Sequence, residues 1–93
     1  MTAARIAQLR ERLAVLAPSR LDIGDDSHLH AGHAGAQGGA GHYRVRIVSR
    51  QFEGLSRLAR HRLVYDRLAD LIPREVHALA LQALTPEEDS AKN

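Results

Sequence analysis

The chain has 93 residues, 44% of them hydrophobic and 3% aromatic, and a formal net charge of +2. Such a chain is expected to fold as one small domain (1–93) around Leu, Ile, Val and Ala. The lack of cysteine excludes a disulfide framework, a thiolate metal site and a cysteine nucleophile, and no apolar run approaches the ~20 residues that span a bilayer.

Residues 2–17 are predicted to form a helix, with Thr2 as its cap, Ile6, Leu9, Leu13 and Leu16 at helical spacing, and Pro18 as its stop. The Arg-rich start superficially resembles a transit peptide, but Glu11 and the regular stripe assign it to the fold. No apolar block follows Arg5, so no secretory leader is expected, and the expected location is cytoplasmic. Leu21-Asp22-Ile23 alternates as a short strand. A His- and Gly-rich loop then runs from about 25 to 41, far longer than an ordinary connection.

Beyond it, Tyr43, Val45 and Ile47 alternate with His42, Arg44 and Arg46, the pattern of a half-buried strand. Were this strand to extend through Arg50, His42 would share its solvent face with three arginines. Residues 51–55 read as a turn containing Gly54, and Ser56 caps a second helix reaching about Leu71. That helix is expected to present Leu58, Val64, Tyr65, Leu68, Leu71 and Ile72 on one face. Pro73-Arg74-Glu75 breaks it, either as a loop or as one further helical turn. Val76 to Leu81 is a third, apolar strand, and the acidic tail from about Pro86 is a short helix or a frayed end. The resulting order, αββα(α)βα, predicts an α+β fold: a mixed three-stranded sheet with helices packed on one face.

Four of the six histidines, His28, His30, His33 and His42, fall in or beside the long loop. Imidazole is a common metal ligand, but the spacing matches neither a finger nor a helical His pair. Metal binding and a solvated polar loop both fit. His77, in an otherwise apolar strand, shares parity with Leu79 and Leu81, which suits a core histidine bonded to backbone or a second metal ligand. His61 falls inside the apolar stripe of the second helix and reads as a packed, structural imidazole. Arg60 and Arg62 flank it and are expected to point outward, to water or to phosphate, with Arg62 four residues before Asp66. No nucleophile motif, acid–base pair or phosphate loop emerges, so an enzyme is not expected.

Several segments together resemble the BolA family: Asp26-Ser27-His28-Leu29-His30-Ala31-Gly32-His33, His42-Tyr43-Arg44-Val45, Phe52-Glu53-Gly54-Leu55-Ser56, Arg60-His61-Arg62-Leu63-Val64-Tyr65 and Val76-His77-Ala78-Leu79. The similarity runs from Ile6 to about Pro86. It implies a fold similar to type II KH domains. It also implies a heterodimer with a monothiol glutaredoxin sharing a [2Fe-2S] cluster, for iron–sulfur trafficking or iron sensing. The family's ligands are a histidine opening the last strand, matching His77, and a His or Cys in the loop between the first two strands. The resemblance points to His33 for the latter, with His42 as the alternative and His28 and His30 as auxiliary candidates.

Without a thiolate this chain can supply only imidazoles, so the partner's cysteine and glutathione must supply sulfur. No cofactor is expected to be held tightly by the isolated protein, which is expected to be a monomer or weak dimer. The alternative is a DNA-binding transcriptional regulator, with Arg57, Arg60, Arg62 and Arg67 on phosphate, although the GXXG clamp of KH domains is missing. Simple zinc or metal chaperoning comes third.

Overall fold

In the computed structural model, residues 2–26, 41–72 and 76–91 are described. The first helix, α1, spans Thr2–Leu13, and a 3-10 turn over Ala14–Leu16 completes the segment expected to be helical to residue 17. The turn ends at Ala17, whose φ of 48° is left-handed, just before Pro18. Leu9, Leu13 and Leu16 are buried and Ile6 packs against them, as the stripe requires.

Strand β1 (Arg20–Asp25) and strand β2 (Gly41–Val48) pair antiparallel, from Arg20 opposite Val48 to Asp25 opposite Tyr43. Strand β3 (Val76–Leu84) pairs parallel to β2, giving a mixed sheet in the order β1-β2-β3. Tyr43, Val45 and Ile47 of β2 are buried while Arg44 is exposed, so the alternation read from the sequence is realised. The strand stops at Val48, so Arg50 does not join His42, Arg44 and Arg46 on the outer face. Ser49 is the reason. Its hydroxyl donates to the Leu16 carbonyl at 2.6 Å and accepts from the Gln51 N–H at 3.1 Å, capping a 3-10 turn over Arg50–Phe52.

Helix α2 (Arg57–Arg67) starts at Ser56, whose hydroxyl accepts from the Ala59 N–H at 3.1 Å, the expected cap. It ends four residues before Leu71, and turns carry the chain on to Ile72. Val64 and Leu68 are buried, but Leu58 is 61% and Tyr65 37% exposed. Leu71 is buried as well and Ile72 packs against the core, so the expected face is realised at Val64, Leu68, Leu71 and Ile72 but is narrower than expected, leaving Leu58 in solvent and Tyr65 at its margin. The further turn considered at residues 73–75 lies outside the described residues.

Helix α3 (Pro86–Ala91) settles the alternative at the tail in favour of a helix. Its start is a capping box: the Thr85 hydroxyl accepts from the Glu88 N–H at 3.2 Å, and the Glu88 carboxylate accepts from the Thr85 N–H at 2.9 Å. Residues of α1, α2, β2 and β3 meet around Phe52, which is fully buried, in one core on one face of the sheet. Arg12 of α1 forks onto Asp70 beyond α2, with Nη2 at 2.8 Å, which raises the Arg12 pKa and lowers that of Asp70.

Candidate functional site

Antiparallel β1–β2 followed by parallel β2–β3 pairing brings three points to one end of the sheet: Asp25, where β1 ends, and Gly41 and Val76, where β2 and β3 begin. The β2–β3 register is not continuous there. Gly41 pairs with Val76 but His42 pairs with Ala78, so His77 is the extra residue of a β-bulge, beside the Gly41–His42 step. A bulge interrupts strand alternation, so parity with Leu79 and Leu81 no longer decides which face His77 belongs to. The register brings the backbone positions of His42 and His77 together. His28, His30 and His33 lie outside the described residues.

The two feet of the long loop are fastened to each other. The Asp26 N–H donates to the His42 carbonyl at 2.8 Å, extending the ladder by one bond. Arg44 Nε donates to Asp26 Oδ2, also at 2.8 Å. Gly41 lies directly against the Tyr43 ring, where an added Cβ would collide with Cε2. Since Tyr43 is only 2% exposed, its ring has nowhere to go. Asp26, Arg44 and Gly41 were not singled out as positioning residues from sequence, because the Asp26–Arg44 pair exists only in this strand register. His42 itself is half-buried on the face opposite Tyr43.

The arginines of α2 separate into two kinds. Arg57 and Arg62 are exposed, and neither forms an ion pair among the described residues. Arg67 pairs with Asp66 at 2.7 Å, the neighbour that the expected Arg62 contact would have used. Arg60 does not point outward. Its side chain is 13% exposed and donates to the carbonyls of Leu55 and Ala83 at 3.0 and 3.2 Å and to Glu88. A guanidinium with several donors can tie three segments at once, and here it joins α2 to the ends of β3 and α3. This contact, with the Thr85 N–H, holds the Glu88 carboxyl down to about 2. His61, one residue on, is half-buried on the wall of a cleft of about 710 Å³ rather than inside the packed stripe.

A family profile described as "BolA-like protein" matches residues 13–88. Human BolA-like protein 1 is 46% identical over 83 residues, covering 88% of this chain and 58% of that protein. SufE-like protein 1 of Arabidopsis thaliana is 45% identical over 87 residues, or 87% of this chain and 24% of that protein, so these curated relatives are considerably longer. The DNA-binding transcriptional regulator BolA of Haemophilus influenzae is 37% identical over 76 residues, covering 82% of this chain and 71% of that protein. Among solved structures, the BolA domain of SufE1 from Arabidopsis thaliana superposes with a TM-score of 0.80 at 44% identity, covering 90% of this chain and 94% of that one.

Proposed function

The chain belongs to the BolA-like protein family, and from that premise we propose that it is a binding module that pairs with a monothiol glutaredoxin and co-ligates a bridging [2Fe-2S] cluster in iron–sulfur trafficking or iron sensing. The observation that supports this reading best is the register at the loop end of the sheet. It sets His77 in a bulge beside the Gly41–His42 step, where the histidine-bearing loop rejoins the fold.

The donor set suits a shared cluster. Without cysteine, the chain offers imidazoles, and the partner's cysteine and glutathione complete the ligand set. His77 supplies one imidazole and His33 the other, with His42 the alternative and His28 and His30 auxiliary. Once bound, mixed His and sulfur ligation gives the cluster a higher reduction potential than four thiolates would. The chain's own work is positional. The Asp26–His42 bond and the Asp26–Arg44 pair fix both feet of the loop at the end of the sheet where β3 begins, so the gap the loop bridges is set before any partner arrives. An imidazole ligates only when neutral, so assembly should weaken below the ordinary histidine range, near pH 6.5.

The test is to mix the protein with a monothiol glutaredoxin, glutathione, iron and sulfide, then follow size-exclusion chromatography, visible absorption and circular dichroism. A heterodimer with a cluster spectrum distinct from that of the glutaredoxin alone supports the reading. Recovery of the glutaredoxin's own cluster with no heterodimer sinks it.

A second reading, DNA binding through α2, draws on the name of the Haemophilus influenzae relative and on Arg57 and Arg62, which are exposed and form no ion pair among the described residues. It is weakened by the two other arginines. Arg60 is spent on Leu55, Ala83 and Glu88, and Arg67 on Asp66.

A further inference from the structure

Strand β3 is an edge of the sheet, and its outer side is closed in an uneven way. Ser49 N–H, at the end of β2, donates to the Leu84 carbonyl at 2.9 Å, so Leu84 turns its carbonyl toward β2. The Ala83 and Leu79 carbonyls instead accept from α2, Ala83 from Arg60 at 3.2 Å and Leu79 from the Tyr65 hydroxyl at 3.1 Å. These two therefore face away from β2. In a parallel strand the N–H and C=O of one residue lie on the same side, and alternate residues share that side. Leu81, midway between Leu79 and Ala83, thus turns both its backbone groups to the free edge. Among the described residues no side chain caps them.

This uncapped position opens into the cleft whose other walls are Arg57 and His61 of α2 and Glu88 and Ala91 of α3. Arg60 is balanced there by Glu88, whereas Arg57 is exposed and forms no ion pair among the described residues. The cleft therefore offers an N–H, a C=O and one uncompensated guanidinium. Exposed strand edges pair readily with another extended chain, and α2 prevents this at Leu79 and Ala83 but not at Leu81.

We propose that the cleft between α2, β3 and α3 captures a short, extended, acidic segment of a partner protein, bonded through its backbone to Leu81 and through a carboxylate to Arg57. This is strand addition confined to a few residues. A longer ladder, such as the sheet edge of a second copy would form, would have to displace the Tyr65 and Arg60 bonds to the Leu79 and Ala83 carbonyls. The cleft lies away from the bulge: Leu81 is four residues along β3 from His77, about 13 Å. The proposal is independent of the cluster reading.

The probe is an N-acetylated, C-amidated pentapeptide of alternating valine and glutamate, titrated into the ¹⁵N-labelled full chain. Controls are the same peptide with lysine for glutamate, a version N-methylated at its central amides, and a single-stranded DNA 12-mer. Saturable shifts at Leu79–Leu84 and Arg57–His61 are expected with the acidic peptide and not with the lysine or N-methylated peptides. Arg57→Glu should weaken the peptide about five- to tenfold by turning an attraction into a repulsion. Because this exposed residue opens α2, a glutamate there suits the helix dipole and leaves the fold intact. The proposal is overturned if the acidic peptide does not bind, if the lysine or N-methylated peptide binds as well as the acidic one, or if Arg57→Glu changes nothing. Shifts of the same residues on dilution of the protein alone would assign the edge to a second copy. Tighter, salt-sensitive binding of the DNA would assign the cleft to nucleic acid. Either outcome also overturns it.

Discussion

The backbone N–H of Asp26 donates to the carbonyl of His42 at 2.8 Å, one residue past the last β1–β2 pair, and the Asp26 carboxylate holds Arg44 on the neighbouring strand. One residue thereby fastens both ends of a long connection through its backbone and its side chain. The cost of bringing the loop's ends together is met by the hairpin itself.

Asp26→Pro, which deletes both the N–H and the carboxylate, should lower stability by about 1–2 kcal/mol, about 1 kcal/mol of it through the lost backbone bond. Asp26→Asn keeps the N–H and loses only the exposed ion pair, so its cost should stay below about 1 kcal/mol. Urea unfolding of the two variants separates these contributions. Equal midpoints would mean that the backbone bond adds nothing.

For the ligands, His77→Ala should abolish the glutaredoxin-bridged cluster while leaving the melting curve of the isolated protein nearly unchanged. His33→Ala and His42→Ala then divide the second position between them, the expected loss being with His33. An unaltered cluster spectrum in His33→Ala/His77→Ala would falsify the assignment.

Gly41→Ala should destabilise the fold by roughly 1–3 kcal/mol, the usual cost of forcing atoms into a packed core. The cause is steric contact with the Tyr43 ring, so Tyr43→Leu in the same background should recover part of the loss. Thermal unfolding of the two single variants and the double variant measures the coupling. Strictly additive effects would exclude the ring as the cause.

Glu88 titrates at about 2 in the fold against an ordinary 4.5, chiefly because Arg60 bonds its charged form. A carboxyl with a depressed folded value adds stability that is complete above its unfolded value and lost as pH falls through the folded one. The wild-type chain should therefore lose stability between roughly pH 4.5 and 2, and Glu88→Gln should flatten that part of the curve while lowering the plateau near neutrality. Identical pH profiles for the two proteins would show that the Arg60 contact does not persist in solution.

If α2 binds DNA, Arg57 and Arg62, the α2 arginines without an ion pair among the described residues, meet phosphate, and two contacts give a log–log salt slope of about −2. Arg57→Ala/Arg62→Ala should then remove the slope together with the binding, without disturbing the glutaredoxin complex. Arg60→Ala is not a clean test of DNA contact, because it also removes the partner of Glu88 and Ala83. Fluorescence anisotropy across a salt series decides it. A steeper slope that survives in the double variant would place the DNA contact elsewhere.

Much of the fold was legible because it is written in short-range spacing. Leu9, Leu13 and Leu16 recur at the helical period, Tyr43, Val45 and Ile47 at the strand period, and Ser56 stands where a cap must stand. The resemblance to BolA proteins was carried by linear motifs of the same kind. The Thr85-x-x-Glu88 capping box was equally local and went unread. Other features depend on what arrives from elsewhere in the chain. Leu58 and Tyr65 fit an apolar stripe, but the core buries Val64, Leu68 and Leu71 and leaves Leu58 and Tyr65 exposed. Arg60 looks like a surface arginine until the Ala83 carbonyl and Glu88 come within its reach. His77 follows strict alternation on paper, whereas pairing with β2 inserts it as a bulge beside His42. Periodicity is a property of one segment. Register, the width of a helix's buried face and the partner of a long charged side chain are properties of two, and only the packed tertiary structure decides them.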